Sequence, residues 1–142
     1  MRSVVLDTSV LVAALRSRHG ASHVILRRVA DRTLRPLVST PLFLEYEAVL
    51  KRPEHQLATG RTPERIDTFL AAFVSAATGV ETHFRWRPQL RDSAEEMVLE
   101  CAVNGRADCL VTHNLKDFSS AVDRFALPLR TPGAFLRETD TP

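Results

Sequence analysis

Apolar positions along this chain alternate between short solid runs and spaced, helical stripes. Val4, Val5 and Leu6 form the first run, and two β-branched residues ahead of a leucine predict a short buried strand. Asp7 ends that run, and Ser9 stands where a side-chain oxygen can take the first free N–H groups of a helix. Val24, Ile25, Leu26 and Val29 predict a helix over residues 22–32, opened by Ser22 and stopped before Pro36. Residues 37–39 predict a strand. Thr40 then Pro41 is a cap followed by proline at the first helical position, and the helix runs to about residue 52 on a stripe of Leu42, Phe43, Tyr46, Val49 and Leu50. Glu45 and Glu47 sit on the two edges of that stripe, so periodicity does not choose between them.

Residues 55–61 read as a loop. Thr62 and Pro63 repeat the cap-then-proline signal, and Ile66, Phe69, Leu70, Phe73, Val74 and Ala77 give a helical face that Gly79 closes. Residues 80–84 alternate weakly, as a strand would. Ser93 and Glu96 form a capping box ahead of a helix carrying Ala94, Met97, Val98, Cys101 and Ala102. Residues 109–112 are the next buried strand, ending in a polar turn over 113–118. Residues 127–129 predict a last strand, and Thr131 with Pro132 opens a final helix. Strands separated by helices imply an α/β fold: a three-layer sandwich with a central, mostly parallel sheet and helices on both faces, built by residues 1–142 as a single domain.

In an open parallel sheet, ligands bind beyond the carboxyl ends of the strands. Asp7 and the turn holding Asn114 and Asp117 both leave that edge, although more than 100 residues separate them. With Glu45, and with Asp92 or Glu95 at the start of the later helix, they form a set of hard oxygen donors. Such a set suits magnesium or manganese. Crowded carboxylates repel one another and a divalent cation relieves this, so metal-assisted phosphodiester hydrolysis is the matching reaction class. Glu96 has a sufficient role in the capping box, and Glu95 lies nearer the apolar side of its helix, so Glu95 is the better inward-facing acid.

Composition changes this picture little. Apolar residues make up 44% and charged residues 25%, as in ordinary globular proteins. No run reaches the roughly 18 apolar residues of a membrane span, and Asp7 interrupts the first apolar run, so a cytoplasmic protein without membrane association is expected. Net charge is only +2, yet six arginines and one acid, Asp31, fall between Arg16 and Arg35, and Arg85, Arg87 and Arg91 form a second basic cluster. Arginine forks suit phosphate oxygens, which is compatible with RNA and equally with a solvated surface. Cys101 and Cys109 lie in no metal-binding spacing and read as buried free thiols. No Gly-rich turn follows the first strand, so a dinucleotide site is absent. Position 9 is Ser9 where a haloacid dehalogenase phosphatase needs a second aspartate. A receiver domain would need paired acids at the first strand, and these are missing.

Residues 4–9, Val-Val-Leu-Asp-Thr-Ser, resemble the opening motif of PIN-domain ribonucleases. Residues 104–118 resemble the late motif of a branch of that family, the VapC-like toxins of type II toxin–antitoxin systems. Residues 91–100 resemble its acid-bearing helix start, and Glu45 matches its second acid by position. The resemblance spans about residues 3–135. It implies a magnesium- or manganese-dependent endoribonuclease acting on RNA, forming a homodimer and pairing with a small antitoxin protein. By the same resemblance Asp7, Glu45 and the acid at Asp92 or Glu95 hold metal. Asn114 completes the pocket with Asp117 behind it, and Thr8, Ser9 and Thr112 orient ligands. Two departures favour an alternative, a PIN-fold module that binds RNA or protein with weak or no cleavage. Asn114 stands where many relatives carry aspartate, and Glu95 stands where aspartate is expected, one bond length (about 1.5 Å) longer.

Overall fold

A computed structural model describes residues 1–82 and 93–139. Among these residues five strands form one sheet in the order β3-β2-β1-β4-β5. They are β1 (Ser3–Leu6), β2 (Arg35–Val38), β3 (Thr78–Gly79), β4 (Cys109–Val111) and β5 (Leu129–Arg130). Every neighbouring pair among the described residues is parallel, in keeping with the expected central, mostly parallel sheet. Eight helices connect and cover it among the described residues: α1 (Thr8–Arg16), α2 (Ala21–Ala30), α3 (Thr40–Leu50), α4 (Pro53–Thr59), α5 (Pro63–Ser75), α6 (Ser93–Asn104), α7 (Leu115–Phe125) and α8 (Pro132–Thr139). None of them is long and apolar enough to cross a membrane.

β1 is central, and all four of its residues are buried. That is why its sequence is a solid run: a strand covered on both faces has no polar side to show. Val4, Val5 and Leu6 meet Leu37, Leu110, Val98, Leu99, Leu42 and Leu70 in one continuous core. Burying a side chain of that size contributes about 1.5–3 kcal/mol.

Several local expectations change. α1 takes Asp7 as its N-cap residue with no side-chain cap bond, and Ser9 turns its hydroxyl to Asp7 instead. α2 starts from Gly20, which frees Ser22 to bond elsewhere. Ser39, not Thr40, caps α3, accepting the Leu42 N–H at 3.3 Å. Thr62 caps α5 as read. Residues expected as a loop form α4, whose side chains are all partly or fully exposed, so it carries no apolar stripe to read. β3 falls at Thr78–Gly79, residues 80–82 are not strand and the rest of the strand expected over 80–84 lies outside the described residues; the helix before β3 ends on Ala76 rather than Gly79. The polar turn over 113–118 becomes the entry to α7. Asp92, Arg85, Arg87, Arg91 and the side chain of Ser93 lie outside the described residues.

Candidate functional site

Leu6 of β1 pairs with Val111 of β4, so the next residue of each strand, Asp7 and Thr112, emerge side by side at the carboxyl edge. The Asp7 N–H donates to the Val111 carbonyl at 2.9 Å and locks this register. Asp7 is only 6% exposed and Thr112 is fully buried. A buried carboxylate needs donors. Two hydroxyls supply them, both to Oδ2: Thr112 Oγ1 at 2.7 Å and Ser9 Oγ at 2.7 Å. Each hydroxyl is itself aimed. Thr112 Oγ1 accepts the Asn114 N–H at 2.9 Å, and Ser9 Oγ accepts the His113 N–H at 3.3 Å. A hydroxyl carries one proton, so accepting from the turn directs that proton at Asp7. Asp7, Ser9, Thr112 and the backbone of the 113–114 turn are thereby one hydrogen-bonded unit, joining both ends of the sequence.

The third wall comes from α3. Tyr46 is fully buried, and its hydroxyl donates to the Leu6 carbonyl at 2.5 Å. Its ring stands edge-on against Phe73 of α5, with centroids 5.8 Å apart. Burial raises the phenol well above its ordinary value, with the nearby Cys101 and Asp7 adding to the rise, so it stays a proton donor. Glu45 directly precedes Tyr46 and is half-buried. The structure separates the two glutamates that periodicity left equal. Glu47 lies 3.5 Å from the Lys51 ammonium, which also holds Asp67 at 2.6 Å. The Glu45 side chain makes no hydrogen bond or ion pair among the described residues.

α6 departs most from expectation. Glu96 and Glu100 are buried, 2% and 3% exposed, while Glu95 is half-buried. The inward preference read for Glu95 over Glu96 is therefore reversed. α6 packs on β1, β2, β4, α3 and α7 at once. A helix enclosed on most sides has no polar face for periodicity to find. The spacing of Glu96 and Glu100, four apart and so on one helix face, was the available signal.

Asn114 sits just before α7, and its carbonyl accepts the Asp117 N–H at 3.1 Å. Asn114 and Asp117 are both exposed, and Asp117 lies in the first turn of α7, where a negative charge favours the helix dipole. Thr8 is the first residue of α1 and is half-buried. His113 is exposed, and its Nε2 lies 2.9 Å from Ser22 Oγ, tying the start of α2 to this edge. Of the arginines read as a cluster, Arg28 bonds Thr139 and Arg32 bonds the Ser75 carbonyl, while Arg16 and Arg18 are exposed.

Both cysteines are buried free thiols, and burial pushes each up to about 11, so neither offers a thiolate to a soft metal. Among the described residues no three His, Cys, Asp or Glu side chains come together as a metal cage. Magnesium is ordinarily held by one or two carboxylates with several waters retained, and a buried, hydroxyl-oriented Asp7 fits that demand without a cage.

A family model for the PIN domain matches residues 3–116. The fold is similar to the crystal structure of VapBC2 from Rickettsia felis bound to a DNA fragment from their promoter. That match has a TM-score of 0.61 at 17% identity, and covers 91% of this chain and 98% of that one. No curated protein matches the sequence.

Proposed function

The chain belongs to the PIN-domain family, and from that premise we propose that it is a divalent-metal-dependent endoribonuclease, the toxin of a toxin–antitoxin pair. The observation that carries this is the Asp7 carboxylate, buried at the carboxyl edge of the sheet and oriented by the hydroxyls of Thr112 and Ser9. A buried carboxylate held by two aimed donors is a rigid ligand, and rigid ligands are what a hard cation needs.

In this reading Asp7, Glu45 and the acid at Asp92 or Glu95 hold Mg2+ or Mn2+, with Asn114 contributing its carbonyl oxygen and Asp117 behind it. When bound, the ion lowers the pKa of an attacking water and offsets charge on the scissile phosphate. Thr112 and Ser9 fix the Asp7 carboxylate, and Thr8 joins them in orienting substrate at the mouth. Exposed Arg16 and Arg18 offer phosphate-binding forks near the start of α2. RNA is the substrate class, and the setting is cytoplasmic. The partners are a small antitoxin and a second copy of this chain. The VapBC2 neighbour, solved with DNA from the promoter, supports the antitoxin partner.

A second reading, a PIN-fold module that binds without cutting, is favoured by the lack of a three-residue cage among the described residues and by Asn114 in place of an acid. One experiment separates the two. RNA is incubated with wild type and Asp7→Asn, with and without manganese. The proposal expects cleavage that requires manganese and is lost in the folded variant. Metal-independent cleavage, or equal manganese binding by both proteins, overturns it.

A further inference from the structure

Tyr46 links two acids that lie on different elements. Leu6, which accepts its hydroxyl, is the residue before Asp7, and Glu45 is the residue before Tyr46. One hydrogen bond therefore spans the two backbones from which these carboxylates hang. Building on the metal site argued above, we propose that Tyr46 is a positioning residue that fixes the separation of Asp7 and Glu45 and so sets which divalent cation the site prefers.

α3 packs mainly on α1, α4, α5 and α6, with Leu42 and Leu50 fully buried. Apolar packing has no direction, so on its own it permits α3 to slide along β1 by small amounts. The Tyr46 hydroxyl supplies the direction, and its ring packs edge-on against Phe73. Ser39 caps α3 by accepting the Leu42 N–H at 3.3 Å, which defines where the helix starts. Magnesium demands near-ideal octahedral oxygen ligands at about 2.0–2.1 Å, whereas calcium accepts six to eight at about 2.3–2.6 Å. Spacing fixed by a directional bond therefore favours the smaller ion, and a loosened one penalises magnesium first.

The test measures Mg2+ and Ca2+ binding calorimetrically to wild type and Tyr46→Phe, which keeps the ring and removes only the hydroxyl. Loss of a ligand-orienting partner typically weakens a metal site 10–100-fold. The expected result is a loss of about tenfold or more for Mg2+, with a clearly smaller loss for Ca2+. Equal losses for the two ions, or none, overturn the inference while leaving the metal site standing. Wild type that binds neither ion overturns the metal site and the inference together.

Tyr46 is the sole tyrosine of the chain, which gives a second measurement that does not depend on the variant folding. Uniform 3-fluorotyrosine labelling puts one fluorine beside the Leu6 contact. Its resonance is expected to move on adding Mg2+ and to saturate at the same concentration as the calorimetric titration. A resonance that stays fixed through saturation overturns the link.

Discussion

At the scale of single residues, the carboxyl edge is a chain of donors ending on one acceptor oxygen. Thr112 is its keystone, because it donates to Asp7 and accepts from Asn114 at once. Thr112→Val preserves shape and leaves both partners without their bond. A buried group stranded in this way costs about 1–3 kcal/mol, so the denaturant midpoint falls, while Thr112→Ser recovers most of the loss. Asp108 makes a separate contribution at the amino edge. The Ser3 N–H, 2.8 Å away, holds its carboxyl below the ordinary value of 3.8. The stabilisation is complete above that ordinary value and disappears as pH falls through the lowered folded one. Asp108→Asn should accordingly flatten the loss of thermal stability below about pH 4, measured as melting temperature against pH. The two cysteines test the packing directly: with both thiols buried and raised to about 11, an aromatic disulfide reagent should modify neither until denaturant is added.

At the scale of elements, α6 and its exit turn join the sheet to the site. Gly105 follows α6, and a Cβ there would stand 2.8 Å from Val80 and 2.9 Å from Leu37. Gly105→Ala should destabilise by about 1–3 kcal/mol through overpacking between α6 and β2, read as a lower urea midpoint with an unchanged slope. Legibility varied by element for physical reasons. α5 was readable because one face is buried and its cap and proline are unambiguous. α4 was not, since it buries no side chain and Leu57 on it is 87% exposed. The start of α7 is hidden because Asn114 and Asp117 carry two messages, candidate ligands and a helix start three residues apart, and a polar run of this kind reads as a turn. The burial of the α6 acids is not legible in its periodicity, because a nearly enclosed helix buries Glu96 and Glu100 along with Val98 and Leu99.

At the scale of the whole molecule, an ion that binds only the folded chain stabilises it by mass action. An ion held at a hundred times its dissociation constant contributes about 2.7 kcal/mol. For a domain of this size that corresponds to a melting temperature raised by roughly 5–10 °C. Wild type should show the rise with magnesium or manganese, and Asp7→Asn should not, in a thermal-shift titration. The sequence by itself determined the class of architecture, because a strand buried on both faces must be a solid apolar run and helices that cover a sheet must show caps and stripes. It also marked Asp7, the residue where such a run stops on a charge. What only the tertiary structure decided is which polar groups meet. The register of β1 against β4 sets Thr112 beside Asp7, the Tyr46 hydroxyl brings α3 to Leu6, and Lys51 claims Glu47 while leaving Glu45. Hydrophobic pattern is a property of one segment and its own period, whereas a hydrogen bond between residues 105 apart exists only once the sheet has closed the distance.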